Sequence, residues 1–176
     1  QTGYPVLDVA TTRGGDGIEL SASQHRFVYE HLVDPDSTDD TLWRVPLSVT
    51  SPDGKESAPV LMDRRRTTMS LAVPEGGSSE DWIKVNPQQI GFFRVNYTQE
   101  DWARLRPPIE GLRLSAIDRL GLQNDAYALT KAGDLSVTQF LSLARAYQNE
   151  TDVSVWGDLS TNLRGMESLL LDEPFY

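Results

Sequence analysis

Between Tyr4 and Tyr97 apolar and polar residues alternate with a period of two, as they do where every second side chain of a strand faces a core. Trp43, Val45, Leu47 and Val49 fall on one face, with Arg44, Pro46, Ser48 and Thr50 on the other, and Met69, Leu71 and Val73 repeat the pattern. Turn signals separate the runs: Gly14-Gly15-Asp16-Gly17, Asp34-Pro35-Asp36, Ser51-Pro52-Asp53-Gly54 and Pro74-Glu75-Gly76-Gly77. Each is rich in residues that tolerate positive φ or preset a turn. About eight short strands at hairpin spacing predict an immunoglobulin-like, antiparallel β-sandwich, with Gly91 to Tyr97 as its last strand. Alternation points Trp43, Leu47, Leu71, Ile83 and Val95 inward, so Trp43→Ala is expected to come close to unfolding the sandwich.

After Tyr97 the period becomes that of a helix, β-branched residues thin out, and Leu and Ala rise. The boundary is expected near Thr98, dividing a β-sandwich domain over residues 1–98 from the first helices of an α-helical domain over residues 99–176. A short linking helix is predicted around Gln99 to Leu105, ended by Pro107-Pro108. Ser115 with Asp118 resembles a capping box, and Gly133 closes the helix of about eighteen residues that follows. Ser136 with Gln139 is a better capping box, after which Val137, Phe140, Leu141, Ala144 and Tyr147 mark one apolar stripe. Asp152 is expected to cap a third helix whose stripe is Val155, Trp156, Leu159, Leu163, Met166 and Leu170, joined by Leu169. Two preceding helices are too few to cover that stripe, so self-association through this helix, or mobility of it, is expected.

Composition narrows the function classes. A chain of 176 residues, 39% apolar, is long enough to bury a core. Its net charge of −10, from 26 acidic and 16 basic residues, argues against nucleic acid or an anionic membrane surface as partner. Arg64-Arg65-Arg66 is the one basic run and reads as a solvated stretch between strands. Each half carries about −5, so charge does not separate their roles. No apolar run approaches the roughly 18 residues of a membrane span. The start Gln1-Thr2-Gly3-Tyr4-Pro5 lacks both an initiator Met and a signal pattern, so the chain is expected to belong to a longer polypeptide. The absence of cysteine excludes thiol catalysis, disulfides and thiolate zinc sites.

Candidate chemistry is sparse. His25 and His31 share a face if one strand spans both, but zinc needs a third ligand, and Glu30 should point the other way. They are read as ordinary sandwich surface. Asp34, Asp36, Asp39 and Asp40 lack the spacing and central glycine of an EF-hand and are read as a solvated turn. The sequence contains no Gly-x-Ser-x-Gly elbow, phosphate-binding glycine loop or His-Glu-x-x-His helix. The sequons Asn96-Tyr97-Thr98 and Asn149-Glu150-Thr151 are too short a motif to indicate a compartment.

Longer blocks are more specific. Trp82-Ile83-Lys84-Val85-Asn86, Gly91-Phe92-Phe93-Arg94-Val95-Asn96-Tyr97, the run Asp118 to Leu129 and Lys131-Ala132-Gly133 resemble, in order, the gluzincin zinc aminopeptidases. The opening Gly3 to Leu7, the strand Gln24-His25-Arg26-Phe27, and Val155 to Ser160 with Asn162-Leu163 extend the resemblance over nearly the whole chain. It implies the small β-sandwich that follows the catalytic domain, then the start of a large C-terminal helical domain. The family's zinc ligands, its general-base Glu, which activates the zinc-bound water, and its Gly-x-Met-Glu-Asn loop for the substrate amine are all expected upstream of Gln1. The resemblance therefore assigns no catalytic or metal residue here and leaves substrate-binding residues open, while zinc is the cofactor of the parent enzyme. Phe93 stands where Tyr is commoner in the family. The implied partners are the catalytic and remaining helical domains of the same parent, and the parent's peptide substrates. The resemblance is strongest to a cytoplasmic branch of the family, with an extracellular location left open. The alternative is a free-standing immunoglobulin-like adaptor with a helical extension that binds another protein.

Overall fold

The computed structural model describes residues 3–14, 17–29, 39–72 and 81–168. Strands occupy the first part: β1 Pro5–Gly14, β2 Gly17–Arg26, β3 Val45–Leu47, β4 Val49–Thr50, β5 Val60–Met62, β6 Arg66–Leu71, β7 Lys84–Val85 and β8 Arg94–Tyr97. Helices follow: α1 Gln99–Glu110, α2 Ala116–Ala132, α3 Val137–Ala144 and α4 Val153–Ser168. The chain is thus a β fold followed by an α fold.

A four-stranded sheet runs in the order β6-β2-β1-β8, and β3-β5 and β4-β7 form two short pairs. Alternation along β1 and β2 puts Leu7, Val9, Ile18, Leu20, Ala22 and Gln24 on the buried face, with Leu7 opposite Gln24 and Val9 opposite Ala22. The expectation of a purely antiparallel arrangement needs correction, because β8 pairs with β1 in parallel, Val6 to Val9 alongside Arg94 to Tyr97. Parallel pairing requires a long crossover, and here the whole of β2 to β7 lies between the two strands.

Leu47, Ile83 and Val95 are buried as the alternation predicts, but Trp43 and Leu71 are only partly so. Trp43 lies ahead of β3, its backbone N–H and carbonyl both held by the buried Gln24 side chain at 2.8 and 3.0 Å. Its ring is capped by the Arg26 guanidinium, 5.4 Å away, so it covers the core edge and does not fill it. Val73 and the Pro74-Glu75-Gly76-Gly77 turn lie outside the described residues.

The helix starts follow their caps. Thr98, Ser115 and Ser136 accept from the backbone N–H groups of Asp101, Asp118 and Gln139, and Ser136 with Gln139 completes a capping box. Asp152 accepts from the Ser154 and Val155 N–H groups at the start of α4. Gly133 ends α2 at φ 89, a left-handed position that a Cβ would strain.

α1, in contrast, does not stop before Pro107-Pro108 but runs through both to Glu110. Each proline removes an N–H and leaves a carbonyl one turn back without its helical partner. Burial of Leu105, Pro108 and Ile109 outweighs that loss, and the bonds Gly111 N–H to Pro107 O and Arg113 N–H to Pro108 O close the helix end at 2.9 and 2.8 Å. The predicted stripe holds in part: Phe140 and Tyr147 are buried and Ala144 packs against the core, but Val137 and Leu141 are exposed and Leu143 is buried in their place. In α4, Val155, Leu159 and Met166 are buried and Trp156 is 41% exposed. Leu169 and Leu170 lie outside the described residues.

Candidate functional site

Three helix carboxylates point from α1 and α2 into the strands. The first is Asp101, which accepts from Thr11 N–H at 3.1 Å and Thr11 Oγ1 at 2.5 Å, with Arg13 at 3.7 Å and Arg104 at 3.5 Å. Asp118, the second, meets Lys84 Nζ at 2.6 Å and accepts from Gln88 N–H at 2.8 Å and from Ser115 Oγ at 2.7 Å. Third, Asp125 pairs with Arg94 at 3.1 Å and accepts from the Val95 N–H at 3.1 Å. Asp118 and Asp125 lie about two turns apart, which puts both on one face of α2.

Lys84 is a deeply placed charge, its side chain 1% exposed. It also donates to the Asn86 carbonyl. Burial pushes its ammonium pKa down, and Asp118 pulls it back up. An ion pair withdrawn this far from water contributes little net stability, but removal of either partner strands the other. The pair therefore fixes where α2 sits on β7.

Asp125 behaves differently. Burial pushes its carboxyl up to about 6, against the opposing pull of Arg94 and the Val95 N–H. The folded pKa is raised above the unfolded one, so the native state holds this proton more tightly, and the associated stability is lost as pH rises through about 6. Relative to Asp125→Asn, the native chain should lose roughly 3 kcal/mol between about pH 4 and pH 7. Urea melts of the two proteins at stepped pH measure this. A native chain that gains on the variant over that range would show that Arg94 outweighs burial.

A further pair ties the helices to each other. Arg119 Nε and Nη2 grip Glu150 at 2.6 and 2.7 Å, and Glu150 also accepts from the Thr151 and Asp152 N–H groups. Arg119 holds the Glu150 carboxyl below its usual range. The Trp156 indole donates to the Glu150 carbonyl at 2.7 Å, and buried Tyr147 donates to the Arg119 carbonyl at 2.7 Å.

The groups singled out in sequence take other roles. His25 Nδ1 lies 3.0 Å from Asp8, which also accepts from Asn96, so the first sequon asparagine is engaged inside the sheet. The hydrogen bond to Asp8 raises the His25 pKa. His31, Glu30, Asp34 and Asp36 lie outside the described residues, and Asp39 pairs with Arg26. Among the described residues no group of three His, Asp or Glu side chains is placed to hold a metal ion. Arg64 is solvated beside Asp63, whereas Arg65 donates to the Gln24 carbonyl. In the second sequon, Asn149 donates to the Glu110 carbonyl at 3.1 Å.

Sequence reasoning read Asp118 only as a cap and missed Lys84, Arg94, Asp125 and the Arg119–Glu150 pair. The available signal was two aspartates seven apart in one helix, a spacing that puts both on one face.

Residues 82–176, more than half of the chain, match the protein family described as the ERAP1-like C-terminal domain. The chain is 32% identical over 172 residues to a puromycin-sensitive aminopeptidase of Caenorhabditis elegans, covering 97% of the chain and 17% of that protein. Mitochondrial aminopeptidase 2 of Saccharomyces cerevisiae is 32% identical over 174 residues, with 99% and 17% covered. Aminopeptidase M1-A of Oryza sativa subsp. japonica is 32% identical over 177 residues, with 99% and 19% covered. The chain thus spans less than one fifth of the length of these relatives. The seam residues Lys84, Arg94, Asp118 and Asp125 lie within the matched family region, and by that match the chain belongs to the gluzincin aminopeptidase family that carries the ERAP1-like C-terminal domain.

Proposed function

We propose that the chain is a non-catalytic segment of a zinc-dependent aminopeptidase that removes N-terminal residues from peptides, and that it serves as a scaffold between the catalytic and helical domains. Residues 1–98 are read as an immunoglobulin-like sandwich and residues 99–176 as the first helices of the helical domain, with Thr98 at the junction. The observation that carries this reading is collinear similarity over 97% of the chain to an aminopeptidase of which it covers only 17%. A seam of buried ion pairs suits the role, since charges with no freedom to exchange partners fix the angle between strands and helices. No helix among the described residues is long and apolar enough to cross a membrane, and a cytoplasmic location is part of the proposal.

Two experiments test it. The chain alone should hydrolyse no aminoacyl fluorogenic substrate, because no residue set for the chemistry is present in its sequence. The full-length parent should release N-terminal residues one at a time and stop when its metal is chelated. Chelator-sensitive turnover by the chain alone, or a chelator-insensitive parent, would sink the reading. Self-association through α4 belongs to the same proposal, and a chain that sediments strictly as a monomer would remove that part.

A further inference from the structure

The stretch from Asn86 to Phe93 combines a strained backbone with bare hydrophobic side chains. Asn86, Gln88 and Gln89 take φ of 59, 55 and 54°, left-handed values that Asn tolerates and Gln rarely adopts. The constraints are visible. The Asn86 amide brackets Gly91, accepting from its N–H at 2.8 Å and donating to its carbonyl at 2.9 Å. Gln88 is fastened to the α2 N-terminus through Asp118 and Ser115. Gln89 lies so close to Gly121 that a Cβ there would sit 1.9 Å from its Nε2.

This clamping buries neither of the loop's two large side chains. Ile90 is 81% exposed and Phe92 84%. The Phe92 ring meets Tyr4 edge-on at 5.2 Å, and Tyr4 stacks on Phe27 at 5.2 Å. Beside them opens a cleft of about 500 Å³ whose apolar wall is Tyr4, Phe92, Phe93, Ile117 and Leu120, with Gln89, Arg94, Asn124 and Asp125 at its polar side. A lone exposed hydrophobic residue needs no explanation, but two on one clamped loop, the second of them lining a cleft, mark an interaction site.

We propose that Ile90, Phe92 and the adjoining cleft form the docking site for an apolar face of the parent polypeptide just N-terminal to Tyr4. The inference rests on the aminopeptidase-segment reading. Tyr4 is both the entry to β1 and a wall of the cleft, so polypeptide joined there is delivered to the site at high effective concentration. Relatives of the matched length leave most of their chain available for the purpose, since only 17% of the worm protein is covered. The cleft's own charges, Arg94 and Asp125, satisfy each other, so it calls for apolar surface and not for an ion.

The chain has no cysteine, which makes Ile90→Cys a single reporter here. Maleimide labelling of this residue, located by peptide mass, is compared between the 176-residue chain and the full-length parent. The rate should fall on the order of tenfold or more in the parent. Phe92→Ser should lower the Tm of the parent while leaving that of the chain unchanged, because the ring is covered only in the parent. Equal labelling in both contexts would overturn the proposal, and so would self-association of the chain that Phe92→Ser abolishes, since the occupant would then be a second copy. A parent that protects Ile90→Cys yet lacks chelator-sensitive aminopeptidase activity would uphold the docking and remove only the enzymatic reading.

Discussion

Asp118→Ala is expected to destabilise the chain by about 3–5 kcal/mol, the usual result of stranding one partner of a buried ion pair. Lys84 would keep only the Asn86 carbonyl, in a position with almost no access to water. The same change removes the acceptor for the Gln88 N–H and for Ser115 Oγ, so the α2 N-terminus and the neighbouring loop should loosen together. Asp118→Asn keeps the shape and part of the hydrogen bonding but not the charge, and should fall between the native chain and Asp118→Ala. The double change Lys84→Met with Asp118→Leu should recover much of the loss, because two apolar groups of similar volume leave no uncompensated charge. Urea titration of the four proteins measures these differences. An Asp118→Ala cost below about 1 kcal/mol would mean that water reaches Lys84 and that the pair does not hold α2 in place.

Phe140→Ala should cost about 3–5 kcal/mol by cavity formation, while Leu141→Ala, one residue along, should stay below about 1 kcal/mol. Phe140 is fully buried, with its ring 5.8 Å from that of Tyr127 on α2, whereas Leu141 is 42% exposed. The contrast isolates packing, because both changes put Ala into the same helix and leave the Ser136–Gln139 capping box untouched. Thermal or urea melts of the pair decide it. Equal costs would mean that α3 is rotated from the orientation described here.

The two predictions fall on different sides of what a sequence reveals. The alternation that buries Leu47, Ile83 and Val95, the caps at Ser115, Ser136 and Asp152, and the stop at Gly133 were all legible, because each depends on residues within a few positions of one another. The blocks that signalled the family were legible for a related reason, being uninterrupted in the chain. Phe140, Ala144 and Tyr147 were placed correctly, but the rest of the α3 face was misread because Val137, Leu141 and Leu143 are equally apolar, and only the tertiary packing decides which are covered. Trp43 was misplaced because the side chain that holds its backbone, Gln24, comes from another strand.

By itself, then, the sequence determined the order of strands and helices, the helix ends with a local cap, and the family. Tertiary structure alone decided that α1 continues through two prolines, that β8 joins β1 in parallel, and that Asp118 and Asp125 face Lys84 and Arg94 and not solvent. The physical reason is range. A cap or an apolar period is satisfied by neighbours along the chain, whereas a buried charge or an interrupted helix is stabilised only by groups that folding brings from some 30 positions away.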